Sequence, residues 1–187
     1  MNFCQKSLFR YSALAVVSAM ILTLMLSLPA RADHILPFIG SYTGSAEIVS
    51  ADGSRSQRDM SVTISEVKKG FTVEWTTTTF KPDGRTKDKA YSISFVSTDR
   101  HNIYSAAMER NIFGHEVQLD PMKGEPFVWG RIVGDTLSVY SLFVDNEGGY
   151  EMQQYDRTLT EGGLMLEFKF HRNGAQQRSV SSFLQRQ

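Results

Sequence analysis

The stretch that decides the fold runs from Pro126 to Leu184 and reads PFVWGRIVGDTLSVYSLFVDNEGGYEMQQYDRTLTEGGLMLEFKFHRNGAQQRSVSSFL. Apolar and polar residues alternate through it. Turn residues recur at Gly134-Asp135, Asn146 to Gly149, Glu161 to Gly163 and Asn173-Gly174. Successive side chains of a strand point to opposite faces, so a period of two marks half-buried strands. Connections this short leave no room for crossover helices, so neighbouring strands must be antiparallel. The expected strands are Phe127 to Ile132, Leu137 to Val144, Tyr150 to Leu159, Leu164 to His171 and Arg178 to Leu184.

The pattern extends upstream. FIGSYTGSAEIVS, from Phe38, reads as a first strand with Gly40, Tyr42, Gly44, Ala46 and Ile48 on one face. Three small residues on that face predict close approach by another backbone, or a bend where a sheet curls. Met60, Val62 and Ile64 alternate with Ser61, Thr63 and Ser65 in a second strand. Phe71, Val73 and Trp75 carry a third, Tyr91, Ile93 and Phe95 a fourth, and Ile103 to Met108 a short fifth. Pro82-Asp83-Gly84 supplies a turn in which Pro presets φ and Gly permits a positive φ. Glu109 to Glu125 is the long irregular piece, with room for a short strand around Glu116 to Leu119. The expected fold is all-β, an antiparallel up-and-down barrel of nine or ten strands, since closure removes exposed edges. An open two-sheet sandwich is the alternative.

The first 32 residues read differently. Lys6 and Arg10 precede an apolar run from Ala13 to Leu28, and Ala30-Arg31-Ala32 offers a cleavage site before Asp33. That order is expected of a bacterial secretory signal, with residues 33–187 as a single mature domain in the periplasm or outside the cell. A retained membrane anchor is the other reading, because the run approaches the length of a spanning helix. Removing Lys6, Arg10 and Arg31 from 20 basic residues leaves 17 against 20 acidic ones. So mild an acidic balance argues against nucleic-acid binding through phosphate neutralisation. The single cysteine, Cys4, lies in the leader, so the expected mature chain has neither disulfide nor thiolate site.

With Gly40-Ser41-Tyr42 opening the first strand, an up-and-down meander, and Arg178 in the last strand, the chain resembles the calycin group of lipocalin and fatty-acid-binding barrels. It is also similar in kind to small secreted bacterial proteins. Lipocalins open with a Gly-x-Trp pattern and carry a late basic residue that packs across it; Tyr42 stands here in the tryptophan's place. The resemblance implies a barrel with a cavity or a filled interior, and ligand binding rather than catalysis.

The residues give little catalytic signal. His34, His101, His115 and His171 have no ligand spacing, so neither metal nor other cofactor is expected, and His115 would be the axial candidate were haem bound. No nucleophile elbow, phosphate loop or paired-carboxylate motif is present. The most specific pattern is Tyr155-x-Arg157, two apart and therefore on one strand face. Facing inward, an arginine fork beside a phenol suits a carboxylate, the arrangement of the fatty-acid-binding barrels that the chain resembles. Facing outward, Arg157 meets water or acidic neighbours, and the similar polarity of Tyr150, Met152 and Gln154 leaves both readings open. Arg131 and Arg178 lie on nearby late strands, and Trp75 and Trp129 are candidate cavity walls. With Tyr42 they complete the candidate ligand-binding set. Two functions follow: a periplasmic carrier or sensor of a small apolar or amphipathic, anionic molecule, or a structural envelope protein with a filled interior and an interaction surface near Ile112-Phe113.

Overall fold

The computed structural model describes residues 34–49, 55–81, 83–107, 109–110, 116–117 and 119–187. A 3-10 turn at Leu36–Phe38 leads into strands β1 (Gly40–Val49), β2 (Arg55–Val67), β3 (Gly70–Phe80), β4 (Thr86–Ser97) and β5 (Ile103–Ala107). Two-residue strands β6 (Glu109–Arg110) and β7 (Glu116–Val117) pair with each other, and a second 3-10 turn follows at Pro121–Lys123. The late meander is β8 (Phe127–Val133), β9 (Thr136–Val144), β10 (Tyr150–Thr160), β11 (Gly163–Arg172) and β12 (Ala175–Arg186).

Ten strands close into one antiparallel barrel in the order β1-β12-β11-β10-β9-β8-β5-β4-β3-β2. The alternation expected of the sequence is the alternation seen, and the barrel, not the open sandwich, is the architecture. The long irregular piece contains β6 and β7 and the second 3-10 turn, where the Asp120 carboxylate accepts from the Met122 amide at 3.0 Å. The leader, His115 and Ile112-Phe113 lie outside the described residues.

Closure depends on the small residues of β1. A Cβ added to Gly44 would stand 2.4 Å from the Phe183 carbonyl oxygen of β12. The two backbones meet at the seam because nothing projects between them. Tyr42 and Thr43 pair there with Arg186 and Gln185, and the Ser182 hydroxyl donates to the Ser45 carbonyl at 2.9 Å.

The interior is divided along its length. At one end Phe38, Ile64, Phe71, Val73, Phe95, Ile132, Leu137, Leu164 and Leu184 are buried and packed into one core. The first 3-10 turn stops this end with Ile35 and Phe38, and the Tyr42 hydroxyl donates to the Phe38 carbonyl at 2.8 Å. Toward the other end, where β9 turns into β10 and β11 into β12, the inward residues become longer and polar. The barrel is a cup with a solid base. Among the described residues no helix is long and apolar enough to cross a membrane.

Candidate functional site: a cationic cavity in the open half of the barrel

The cup holds a cavity of about 320 Å³, at the lower end of the range of small-molecule sites. Strand register sets its walls as three levels. At the floor, Val62 pairs with Trp75 and Trp75 with Tyr91, and across the barrel Arg157 pairs with Leu166. Above them Met60, Thr77 and Lys89 form one side, and Tyr155, Phe168 and Val180 the other. Nearest the mouth, Arg58, Thr79 and Lys87 face the Gln153, Phe170 and Arg178 positions.

Among the described residues Arg157 is one of the largest fully buried side chains, 1% exposed. Its β9 and β11 register partners are Leu137 and Leu166, both core residues, which is why its face turns inward. The guanidinium lies 5.9 Å from the Trp75 ring and 5.6 Å from the Tyr155 ring. Such contacts suit a desolvated cation but do not use its N–H groups. Nε and Nη1 are buried without a hydrogen-bond partner in the protein. Burial pulls its pKa down to about 10, against smaller opposing effects from Tyr155 and Asp156. Arginine nevertheless stays charged at neutral pH.

Tyr155 bridges the levels. Its ring centroid is 5.8 Å from that of Trp75 and 4.7 Å from that of Phe168. Its hydroxyl donates to Gln153 Oε1 at 2.9 Å. Burial pushes the phenol's pKa up, with the nearby guanidiniums of Arg157, Arg178 and Arg58 among the effects opposing it. Farther out, Arg178 stacks over Phe168 at 5.4 Å and Phe170 at 5.9 Å. It follows a bulge at Phe170/His171, the kind of irregularity that re-aims a side chain. The Nε atoms of Arg178 and Arg58 are also buried and unpartnered. Burial lowers the pKa of Arg58, and the like charge of Arg178 lowers it further.

Among the described residues, five cations therefore line the cavity, Arg58, Lys87, Lys89, Arg157 and Arg178, and no carboxylate does. The ion pairs among the described residues, Arg55–Glu47, Arg85–Asp83, Lys169–Glu167 and Arg172–Glu151, engage none of them. Desolvated cations without counter-charge are costly, and an anion lowers that cost. Met60, Trp75, Tyr91, Phe168 and Val180 supply its apolar and aromatic wall, and Ser61, Thr76, Thr77, Thr79 and Gln153 its neutral polar one.

Of the sequence candidates, Trp75, Tyr155, Arg157 and Arg178 meet in this cavity. Tyr42, Trp129 and Arg131 do not. Tyr42 belongs to the solid base, with the Arg186 guanidinium 5.6 Å from its ring and hydrogen-bonded to the Ile39 carbonyl. Arg186, not Arg178, is thus the late basic residue that packs across the opening of β1. On β8 the inward residues are Val128, Gly130 and Ile132, which puts Trp129 and Arg131 on the outer face. Trp129 stacks there on Tyr140 at 4.9 Å, and Arg131 is exposed. Arg58, Lys87 and Lys89 were not singled out from sequence, although parity with Met60-Val62-Ile64 and with Tyr91-Ile93-Phe95 places them on the inner face. Among the described residues no group of three or more His, Cys, Asp or Glu could hold a metal ion.

Fold and site together define a class: a small closed antiparallel barrel, solid at one end and open to a cationic, aromatic-walled cavity at the other. No protein-family model and no curated protein matches the chain. Among solved structures, an S-type phycobiliprotein lyase from Guillardia theta is similar over 82% of this chain and 93% of that one, with 7% identity and a TM-score of 0.34.

Proposed function

We propose that this chain is a binding protein for a small amphipathic molecule with an anionic head, carried or sensed in the cup of the barrel. One observation carries the reading: a cavity with an aromatic wall and five cations, whose deepest member, Arg157, has two buried nitrogens without a partner. A carboxylate or similar anion between Arg157 and the mouth supplies the missing acceptors, and the apolar part of the molecule covers Met60, Trp75 and Phe168. Charge-assisted hydrogen bonds of this kind contribute on the order of 1.5–3 kcal/mol. Tryptophan-fluorescence titration with dodecanoate and with dodecanol, in the parent and in Arg157→Met, tests it. The acid is expected to bind about tenfold to a hundredfold tighter than the alcohol, and the preference to vanish in the variant. Equal affinity for both probes, unchanged by the substitution, overturns the reading.

The basic start, apolar run and Ala30-Arg31-Ala32 of the leader support export, with the mature protein in the periplasm or medium of a bacterium. N-terminal sequencing of the exported protein is expected to begin at Asp33. A chain retaining Met1 would instead be membrane-anchored.

A further inference from the structure

The cavity arginines fall into two groups rather than one. Arg157 stands at the level of Leu166, whereas Arg178 stands at the level of Phe170, four residues farther along β11. At about 3.3 Å per residue those backbone levels are roughly 13 Å apart. The opposite wall repeats the spacing on β2. Trp75, which packs on Arg157, pairs with Val62, and Arg58 comes four residues before Val62. Between the two levels the wall is the ring pair Tyr155–Phe168 with Met60, Val180 and Thr77, and with Lys89 on β4. Arg157 and Arg178 touch different ends of that ring pair, at 5.6 Å from Tyr155 and 5.4 Å from Phe168.

A small head seated against Arg157 lies at the floor, below the backbone level from which Arg58 and Arg178 project. A head at Arg157 leaves the Nε atoms of Arg58 and Arg178 buried and without an acceptor, in a mouth that also carries Lys87. Arg178 is close enough to Arg58 to disfavour its charge. An anion placed between them removes that repulsion as well as filling both vacant donors.

We propose that the natural ligand carries two anionic groups separated by an apolar spacer, one group held deep by Arg157 and the other at the mouth between Arg58 and Arg178. This rests on the cavity being a ligand site, and adds to it the chemical class of the ligand. The apolar spacer lies along Tyr155, Phe168 and Met60. Lys87 at the mouth and Lys89 one level below it add positive potential that draws such a molecule in, an effect that weakens with salt.

The test is a calorimetric titration of the full mature chain with dodecanoate and with dodecanedioate, probes of equal length that differ in one terminal carboxylate. The diacid is expected to bind at least tenfold tighter than the monoacid. Its advantage is expected to collapse to less than about threefold in Arg178→Met and to survive in part in Arg178→Lys, which keeps the charge without the planar fork. Salt provides a readout that needs no variant. Raising ionic strength is expected to weaken the diacid more steeply than the monoacid. If the monoacid binds and the diacid binds no better, with the same salt dependence, the second anion group is refuted while the cavity remains a ligand site. If neither acid binds, the ligand-site reading itself fails.

Discussion

Replacing Arg157 by methionine is expected to stabilise the protein while it abolishes anion recognition, and the magnitude can be worked from the site. The side chain is 1% exposed, and two of its nitrogens have no hydrogen-bond partner in the protein. Its pKa falls from the ordinary arginine range to about 10 because burial disfavours the charge. At about 1.4 kcal/mol for each tenfold change, keeping that charge at neutral pH costs roughly 3 kcal/mol. Methionine fills similar volume without a charge to desolvate. It forfeits the contacts with the Trp75 and Tyr155 faces, worth about 0.5–2 kcal/mol in total. The net gain is about 1–2 kcal/mol, or a rise in Tm of roughly 2–8 °C for a chain of this size. Thermal melts followed by circular dichroism, without ligand and with dodecanoate, provide the assay. The parent is expected to melt higher with dodecanoate, since a ligand that binds only the folded state stabilises it. The variant is expected to melt high in both conditions. A variant less stable than the unliganded parent by 1 kcal/mol or more would refute the reasoning, because Arg157 would then be holding the fold together.

Three further outcomes follow from other parts of the structure. Gly44→Val is expected to cost several kcal/mol or prevent folding, because its Cβ would lie 2.4 Å from the Phe183 carbonyl at the closure seam; a denaturant melt near that of the parent would contradict the seam. Trp75→Phe is expected to remove the ligand-induced change in tryptophan fluorescence, and Trp129→Phe to retain it, since Trp129 stacks on Tyr140 outside the barrel. Burial raises the pKa values of Tyr42 and Tyr155, so their contribution to stability is full below the ordinary tyrosine value near 10 and is lost as pH rises through their higher folded values. An ultraviolet absorbance titration is expected to show Tyr42 and Tyr155 ionising late, with unfolding.

The barrel was legible because alternation survives even in its partly polar half. Met60-Val62-Ile64 and Phe71-Val73-Trp75 each keep to one face, and short turns leave antiparallel pairing as the remaining choice. The pairing of Tyr155 and Arg157 on one face was equally legible, as a matter of parity. Whether that face looks in or out was not, because Tyr150, Met152 and Gln154 offer the opposite face a similar polarity. The decision comes from neighbours across the sheet: Leu137 and Val139 on β9, and Leu166 and Phe168 on β11, register with Arg157 and Tyr155. On β8 aromatic character misleads. Phe127 and Trp129 alternate as an apolar face, yet the smaller Val128 and Gly130 face inward, where Phe95 lies 3.3 Å from a Cβ built on Gly130. Arg178 and Arg186 are equivalent by parity on β12. Only their places along the strand give one to the cavity and the other to Tyr42.

The central claim is that the buried guanidiniums form an anion site, and the Nε–H resonances of Arg58, Arg157 and Arg178 report on it most directly. In a nitrogen-15 correlation spectrum of a labelled chain comprising residues 33–187, dodecanoate is expected to shift the Arg157 signal strongly, and dodecanol to leave it nearly in place. Dodecanedioate is expected to shift all three. Acid-induced shifts confined to outward arginines such as Arg55 and Arg131, with the Arg157 signal unmoved, would contradict the account.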